Sequence, residues 1–210
     1  MWFPSTKKHR IRYMSRFIET MRFEHGRIHN FDYHLRRMNE TSMAHFGDSL
    51  HWNPRHLLDT INVPAAGIYK IRLVYGFDSG TITMEPYTIR PICSLKLVYN
   101  NDIGYSFKYE NRSAIERLVQ LKEDCDDILI VKNGVVTDVS YANIAFKKDS
   151  AWYTPDSFLL NGIARQKLLD TGKISEQRIA VDNLKEFTHF KLINAMLLDE
   201  APESEVLNIR

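Results

Sequence analysis

The chain has 210 residues, enough for one large domain or two small ones with a buried core and a cleft. Lys and Arg number 28 against 26 Asp and Glu, and the net charge of +2 is too small to indicate nucleic acid or an acidic membrane as a partner. No segment resembles a secretory signal, and no run reaches the roughly 18 apolar residues of a membrane span. Composition therefore predicts a cytoplasmic globular protein that binds neither nucleic acid nor membranes.

Cysteine and histidine spacing indicates no metal site. Cys93 and Cys125 form no recognisable metal or redox motif, so both are expected to be reduced thiols. His25 and His29 are four residues apart, but Gly26 between them indicates a turn and not a helix. The sequence therefore predicts that no metal is bound.

The first half of the chain has the pattern of strands packed with a few helices. Residues 11–33 are typical of a β-hairpin whose turn lies at residues 24–27. Helical spacing starts at Asp32 and ends near Gly47, and a second helix is predicted over residues 54–61. Strands at residues 67–75 and 81–87, joined by a turn at residues 77–80, form a second predicted hairpin.

A new pattern begins after Ile89-Arg90-Pro91, since proline restricts the residue before it, and we place a division between domains 1–90 and 91–210 there. A strand at residues 95–99 is followed by Lys108, at a strand-to-helix junction, and by a helix that includes Ile115 to Leu121. The remaining predicted elements are an antiparallel set at 127–131, 135–139 and 144–146, a helix from Gly162 to Asp170, and strands at 178–181 and 190–198. This order favours an α+β fold with antiparallel sheets over a doubly wound fold.

Three features of the second half carry chemistry. Lys108 offers an amine that can bond covalently to a carbonyl compound. Asp138 lies in an apolar strand, where a buried carboxylate is costly unless it meets a cation. Gly162 opens a helix whose N-terminal amides suit a phosphate. Each feature alone has an ordinary interpretation, as a capping lysine, a solvent-facing acid or a turn glycine.

Taken together and in order, several blocks of the sequence resemble the aminotransferase class IV family, the fold-type IV pyridoxal-phosphate (PLP) enzymes. The Lys108–Arg112 segment resembles the K-x-x-N-R lysine block of aminodeoxychorismate lyases. The other matching blocks are Ile18-Glu19-Thr20 (F-E-T), Gly26-Arg27-Ile28, His34-Leu35-Arg36-Arg37-Met38 (H-L-x-R-[LM]), Asp127 to Ile144 (E-A-L-L to E-x-x-x-A-N-[IL]), Thr154-Pro155, Leu160 to Arg165 (L-x-G-I-T-R) and Asn194-Ala195-Met196.

The resemblance implies a small N-terminal α/β domain and a larger C-terminal β-rich, pseudo-barrel domain, with PLP in the cleft between them and a homodimer completing the site. Lys108 would be the catalytic residue that bonds to the cofactor, and Asp138, in place of the family's glutamate, would bind the pyridinium with a reach shorter by one methylene. The predicted phosphate-binding residues are Arg37, Ile163, Ala164 and Asn194. Ala164 replaces a threonine or serine, so only its backbone amide remains for the phosphate.

The reaction implied by the lysine block is the conversion of 4-amino-4-deoxychorismate to 4-aminobenzoate and pyruvate, a step of folate synthesis, on a small amino substrate. The alternative is a branched-chain or D-amino-acid transaminase, which requires a 2-oxo acid acceptor. A third reading, a degenerate non-enzymatic binding protein on the same fold, is motivated by Asp138 and Ala164, which depart from the family pattern.

Overall fold

A computed structural model of the chain describes residues 15–61, 66–198 and 200–210. These residues form two compact units. The first holds the described residues up to Thr88 together with Phe107–Asn111, and the second holds Ile89–Ser106 and Arg112–Arg210. The sequence predicts a single division near residue 90, whereas in the structure Phe107–Asn111, the five residues around Lys108, belong to the first unit.

The first unit is built on a four-stranded antiparallel sheet in the order β2-β1-β3-β4. Its predicted hairpins and helices are present, although α2 ends three residues earlier than predicted and residues 11–14 of the first hairpin lie outside the described residues. The elements are β1 (Phe17–Glu24), β2 (Arg27–Ile28), α1 (Phe31–Phe46), α2 (Pro54–Leu58), β3 (Tyr69–Tyr75) and β4 (Gly80–Pro86).

Helix α1 ends where the sequence predicted, because Gly47 adopts a left-handed conformation and its N–H donates to the carbonyl of Met43. The helix packs against β1 and β3. Its buried Met38 joins the core of the unit, which also contains Phe17, Met21 and Leu73. The same buried face of α1 carries polar residues, and these belong to the candidate site described below.

The second unit contains two sheets, a three-stranded one in the order β5-β6-β7 and a five-stranded one in the order β10-β9-β8-β11-β12. Ile144, Phe146, Phe190 and Leu192, all buried, belong to its largest apolar core. Its elements are β5 (Leu95–Tyr99), α3 (Ser113–Val119), β6 (Asp127–Lys132), β7 (Val135–Val139), β8 (Asn143–Lys148), β9 (Ala151–Pro155), α4 (Ile163–Asp170), β10 (Ser175–Gln177), β11 (His189–Ile193) and β12 (Glu203–Glu205), with 3₁₀ helices at Val181–Glu186 and Val206–Asn208.

Several sequence-based expectations for this unit were wrong in detail. Strand β8 lies in a different sheet from β6 and β7, so the predicted antiparallel set is split, and β5–β6 and β9–β10 pair in parallel. The strand predicted at 178–181 lies earlier, at Ser175–Gln177, and β11 ends at Ile193 because a turn follows it. Leu121 lies beyond the end of α3. Apolar periodicity marks burial, and it does not distinguish a strand from the irregular chain that continues it.

Candidate functional site

A buried ion-pair cluster lies between α1 and β1 in the first unit. Nε and Nη2 of Arg37 donate to the two oxygens of the Glu19 carboxylate, at 2.8 and 2.5 Å. Nδ1 of His34 lies 2.6 Å from Oε2 of the same carboxylate. Glu19 and His34 are fully buried and Arg37 is nearly so. The predicted phosphate ligand Arg37 is therefore held by a carboxylate through two of its three nitrogens.

The charges in this cluster shift the pKa values of its members. Burial alone would raise the pKa of Glu19, but the charge of Arg37 and the hydrogen bonds from His34 and Arg37 outweigh it and lower the pKa to about 2. Burial lowers the pKa of His34, against the effect of Glu19. Glu19 is thus ionised at neutral pH, whereas His34 favours the neutral ring. The Nε2 atom of His34 is buried and has no hydrogen bond within the part of the chain that the structure describes.

Lys108 is the central residue of a γ-turn beside the start of β1, in which the N–H of Tyr109 donates to the carbonyl of Phe107, at 2.9 Å. The carbonyl of Lys108 accepts a hydrogen bond from the N–H of Ile18, at 2.9 Å, and Tyr109 pairs with Phe17 in an isolated antiparallel bridge. The expected strand-to-helix junction was wrong, because α3 begins only at Ser113. Lys108 is half-buried, and its charge contributes to lowering the pKa of His34.

In the second unit, Asp138 is buried on β7 and accepts three hydrogen bonds from neutral donors. Its Oδ1 accepts from Nδ2 of Asn143, at 2.7 Å, and its Oδ2 accepts from the N–H groups of Leu159 and Leu160, at 2.9 and 3.0 Å. Burial raises the pKa of Asp138 to about 6, although these donors and the charge of Arg165 act in the opposite direction. The carboxylate has partners, but a nearby cation would stabilise its charged form further.

Asn143 connects this carboxylate to the start of α4. Besides Asp138, its Nδ2 donates to the carbonyl of Leu160, at 2.9 Å. Its Oδ1 lies so close to Gly162 that a Cβ on that residue would come within 2.1 Å of it. Gly162 is the N-cap of α4, and only glycine fits there without moving the asparagine.

The first turn of α4 offers backbone amides and a buried cation. Residues 163–165 occupy its first three positions, whose N–H groups have no partner within a helix. The side chains of Ile163 and Ala164 are buried, and Ala164 packs with Ala145 and Ile193, so each can offer a ligand only its backbone amide. Arg165 is buried, its Nη2 donates to the carbonyl of Pro155 and to the carboxylate of Glu176, at 3.0 and 2.5 Å, and its Nε has no hydrogen-bond partner among the described residues.

Asn194 follows β11 and caps the next turn. Its Oδ1 accepts hydrogen bonds from the N–H groups of Met196 and Leu197, at 2.9 and 3.0 Å. The preceding residue, Ile193, pairs with Asn143 on β8 and packs against Ala164. Asn194 therefore lies beside the Asp138–Asn143–Gly162 group, although its side-chain oxygen is occupied by the turn.

The predicted site residues thus fall into two groups. Arg37 and Lys108 belong to the first unit, and Asp138, Ile163, Ala164 and Asn194 belong to the second. Sequence reasoning gave no role to Glu19, His34, Asn143 or Arg165. For Glu19 a signal was present, because a charged residue inside the apolar run of β1 must be paired when it is buried.

The second unit fits a ligand with a cationic ring and an anionic end. Asp138 can accept a proton-bearing nitrogen, and the amides at the start of α4 suit a phosphate. Glycine at position 162 makes room for the Asn143 side chain beside the helix start. Among the described residues, no three histidine, cysteine or acidic side chains are grouped to hold a metal ion, and no helix is long and apolar enough to cross a membrane.

Comparison with known proteins identifies relatives that cover most of the chain. The family model "Amino-transferase class IV" matches residues 109–198. A Haemophilus influenzae protein named "Uncharacterized protein" is 35% identical over 181 residues, which cover 85% of this chain and 96% of that protein. A crystal structure from Haemophilus somnus 129pt, named "putative 4-amino-4-deoxychorismate lyase", is 29% identical with a TM-score of 0.82, covering 88% of this chain and 97% of that one.

The fold is also that of a hypothetical aminotransferase from Mycobacterium tuberculosis, solved in a PLP-bound form. That structure has a TM-score of 0.74 and covers 90% of this chain and 80% of its own, and at 16% identity it shows the fold alone. The predicted α+β fold of the fold-type IV class is therefore confirmed.

Proposed function

The chain belongs to the aminotransferase class IV family, and we propose that it is a PLP-dependent enzyme in which Lys108 holds the cofactor covalently. The observation that carries this proposal is the group formed by Asp138, Asn143 and Gly162. It joins a buried carboxylate, suited to a pyridinium, to a helix start that suits a phosphate. PLP carries both of these charges, and it supplies an electron sink to the carbon that bears the substrate amine.

Different residues of the chain have different roles in this proposal. Asp138 would favour the protonated pyridine nitrogen of the cofactor, because its charged form gains from a cationic partner at a buried position. The amides of Ile163 and Ala164 hold the phosphate, with Arg37 and Asn194 as further candidates. Lys108 would bind the cofactor covalently, and its free amine would serve as the acid and base that moves a proton at the substrate carbon.

We assign the reaction as the elimination of pyruvate from 4-amino-4-deoxychorismate to give 4-aminobenzoate. Two observations favour it over transamination. The lysine block of residues 108–112 has the K-x-x-N-R form, and the Haemophilus somnus relative bears the lyase name. Arg112 of this block also has a defined place, because its Nη2 donates to the carbonyl of Ser140 in the turn between β7 and β8. Proton loss at the carbon that bears the amine aromatises the ring as pyruvate leaves.

The test is the absorption spectrum of the purified protein with added PLP, combined with borohydride reduction and peptide mapping. Wild type is expected to show a cofactor band that borohydride bleaches, with the label on the peptide that contains Lys108. Lys108→Ala should abolish both. Lys70→Ala, which removes a lysine paired with Glu85 in the same unit, is the matched control and should change neither. Without a band at saturating PLP the cofactor assignment fails, and the non-enzymatic binding protein becomes the better interpretation.

A second assay separates the two enzymatic reactions. The lyase releases pyruvate from 4-amino-4-deoxychorismate without any acceptor, whereas a transaminase turns over only when a 2-oxo acid is supplied. Acceptor-dependent turnover of branched-chain or D-amino acids would overturn the lyase assignment and leave the cofactor assignment intact. The proposal also includes a cytoplasmic homodimer, and light scattering on the purified protein tests the dimer.

A further inference from the structure

The two sequence neighbours of Lys108 contact the same side chain, His45 in the last turn of α1. The His45 ring meets Phe107 edge-on, with centroids 4.3 Å apart at 86°, and meets Tyr109 with centroids 5.7 Å apart at 81°. Phe17 on β1 closes the cluster, with its ring 4.7 Å from His45 and 5.3 Å from Tyr109. His45 therefore contacts the lysine segment on both sides of Lys108.

A hydrogen bond of defined direction joins His45 to Tyr109. Nδ1 of His45 lies 3.3 Å from the carbonyl of Thr41, and a carbonyl only accepts, so Nδ1 carries the proton. Nε2 is then an acceptor, and the Tyr109 hydroxyl, 3.1 Å away, donates to it. Partial burial raises the pKa of Tyr109, which keeps this hydroxyl protonated.

The backbone of the segment is held at the points between these contacts. The N–H of Ile18 donates to the carbonyl of Lys108, and the N–H of Glu110 donates to the carbonyl of Arg16, both at 2.9 Å. Tyr109 lies opposite Phe17 in the bridge between the two segments. The N–H of Tyr109 also donates to the carbonyl of Phe107, at 2.9 Å, so Lys108 is the central residue of a γ-turn whose two flanking side chains both contact His45.

We propose that His45 and Tyr109 are positioning residues that fix the backbone of Lys108, so that its amine reaches the cofactor in one geometry. This inference rests on the proposed function, in which Lys108 is the covalent lysine. A lysine side chain has four rotatable bonds, so its reach is defined only when its Cα is fixed, and displacements of about 1 Å at a reacting group are costly.

A packing role alone would be served equally well by two aromatic rings without polar atoms. The variants that separate the interpretations therefore keep the rings: Tyr109→Phe removes the donor, and His45→Phe removes the acceptor. Matched controls in the same unit are Tyr69→Phe and His51→Phe. His51 stacks on Phe77, with centroids 3.9 Å apart, and the Tyr69 hydroxyl has no hydrogen bond among the described residues.

Two readouts are measured on the full-length protein. The first is the hydrogen-exchange rate of the Ile18 amide without added PLP, which reports the backbone bond to Lys108 independently of any cofactor. The second is the ratio of covalently attached to merely bound PLP, from borohydride trapping and equilibrium dialysis. Loss of one neutral hydrogen bond changes an equilibrium by roughly fivefold. We expect a change of that size in both readouts for Tyr109→Phe and His45→Phe, and none for the controls.

The double variant Tyr109→Phe/His45→Phe should match His45→Phe alone, because Tyr109→Phe removes only a bond that His45→Phe has already removed. Additive effects, or wild-type values of both readouts in the single variants, would overturn the positioning role. If the Ile18 amide exchanges faster in the variants while wild type never attaches PLP covalently, the proposed function fails and the positioning of the segment stands. If attachment occurs in wild type and is unchanged in the variants, the proposed function stands and this inference fails.

Discussion

Replacing Glu19 with glutamine tests the buried cluster of the first unit most directly. The variant keeps the shape of the side chain but leaves the Arg37 guanidinium, about one-tenth exposed, without its anionic partner. Breaking a buried ion pair by removing one member costs roughly 3–5 kcal/mol. The lowering of the pKa of Glu19 from 4.5 to about 2 corresponds to a stabilisation of the folded state by about 3 kcal/mol, which agrees with that range. We expect Glu19→Gln to lower the free energy of unfolding of this unit by about 3 kcal/mol at pH 7.

The pKa shift of Glu19 also determines the pH range in which the ion pair stabilises the folded state. Because the folded-state pKa of Glu19 lies below its unfolded value, its contribution is complete above about pH 4.5 and is lost as the pH falls toward 2. Wild type and Glu19→Gln should therefore converge in stability as the pH is lowered from 5 to 2. At neutral pH the difference should lower the urea midpoint by roughly 1–3 M.

Urea unfolding followed by the fluorescence of Trp52, in a background with Trp2 and Trp152 replaced by phenylalanine, reports on the first unit. Glu85→Gln is the matched control, because it removes a carboxylate that pairs with Lys70 on the exposed surface of the same sheet, and it should leave the midpoint unchanged. A Glu19→Gln variant within about 1 kcal/mol of wild type at pH 7 would refute the reasoning from burial and pairing.

Two further predictions concern the second unit. Gly162→Ala should destabilise this unit by about 1–3 kcal/mol and weaken PLP binding in a dialysis assay, because the new Cβ meets Asn143. The control is Gly104→Ala, where a Cβ meets nothing within 4 Å, and equal effects of the two substitutions would contradict the prediction. The raised pKa of Asp138 predicts that its contribution to the free energy of unfolding is complete below about pH 4 and is lost as the pH rises through 6. Over that range wild type should lose about 3 kcal/mol relative to Asp138→Asn, and a pH-independent difference between the two proteins in urea titrations would falsify this prediction.

Much of the fold could be predicted because local signals agreed with burial. The Asn133-Gly134 turn has positive φ at both positions, as a two-residue hairpin requires, and β6 and β7 flank it as expected. Gly47 marked the end of α1 because its left-handed conformation favours glycine. The assignment of β8 to another sheet could not be predicted, since the Ser140 to Ala142 turn has the length of a hairpin loop and sheet membership depends on contacts distant in sequence.

The candidate site was predictable where a single residue type carries the chemistry, as for Lys108 and Asp138. It was not predictable where the position of a residue depends on contacts with residues distant in the sequence. The sequence placed Lys108 in the C-terminal half, but its backbone pairs with residues at the start of β1, some ninety positions earlier in the chain. No local pattern encodes that pairing, and the Phe107 and Tyr109 contacts with His45 depend on it.

The two buried carboxylates show why pairing, and not burial alone, identifies a site that can take a cation. Glu19 has a guanidinium within hydrogen-bonding distance, so its pKa falls far below the ordinary value despite complete burial. Asp138 has three N–H donors, which are dipoles without net charge, so burial prevails and its pKa rises to about 6. A cation that binds beside Asp138 would lower that pKa, and its binding would be favourable for the same reason. Glu19 is already stabilised in this way by Arg37. Of the two, Asp138 is therefore the carboxylate with a reason to bind a pyridinium, and the interaction would be weakest below pH 6, where the group is protonated before the ligand arrives.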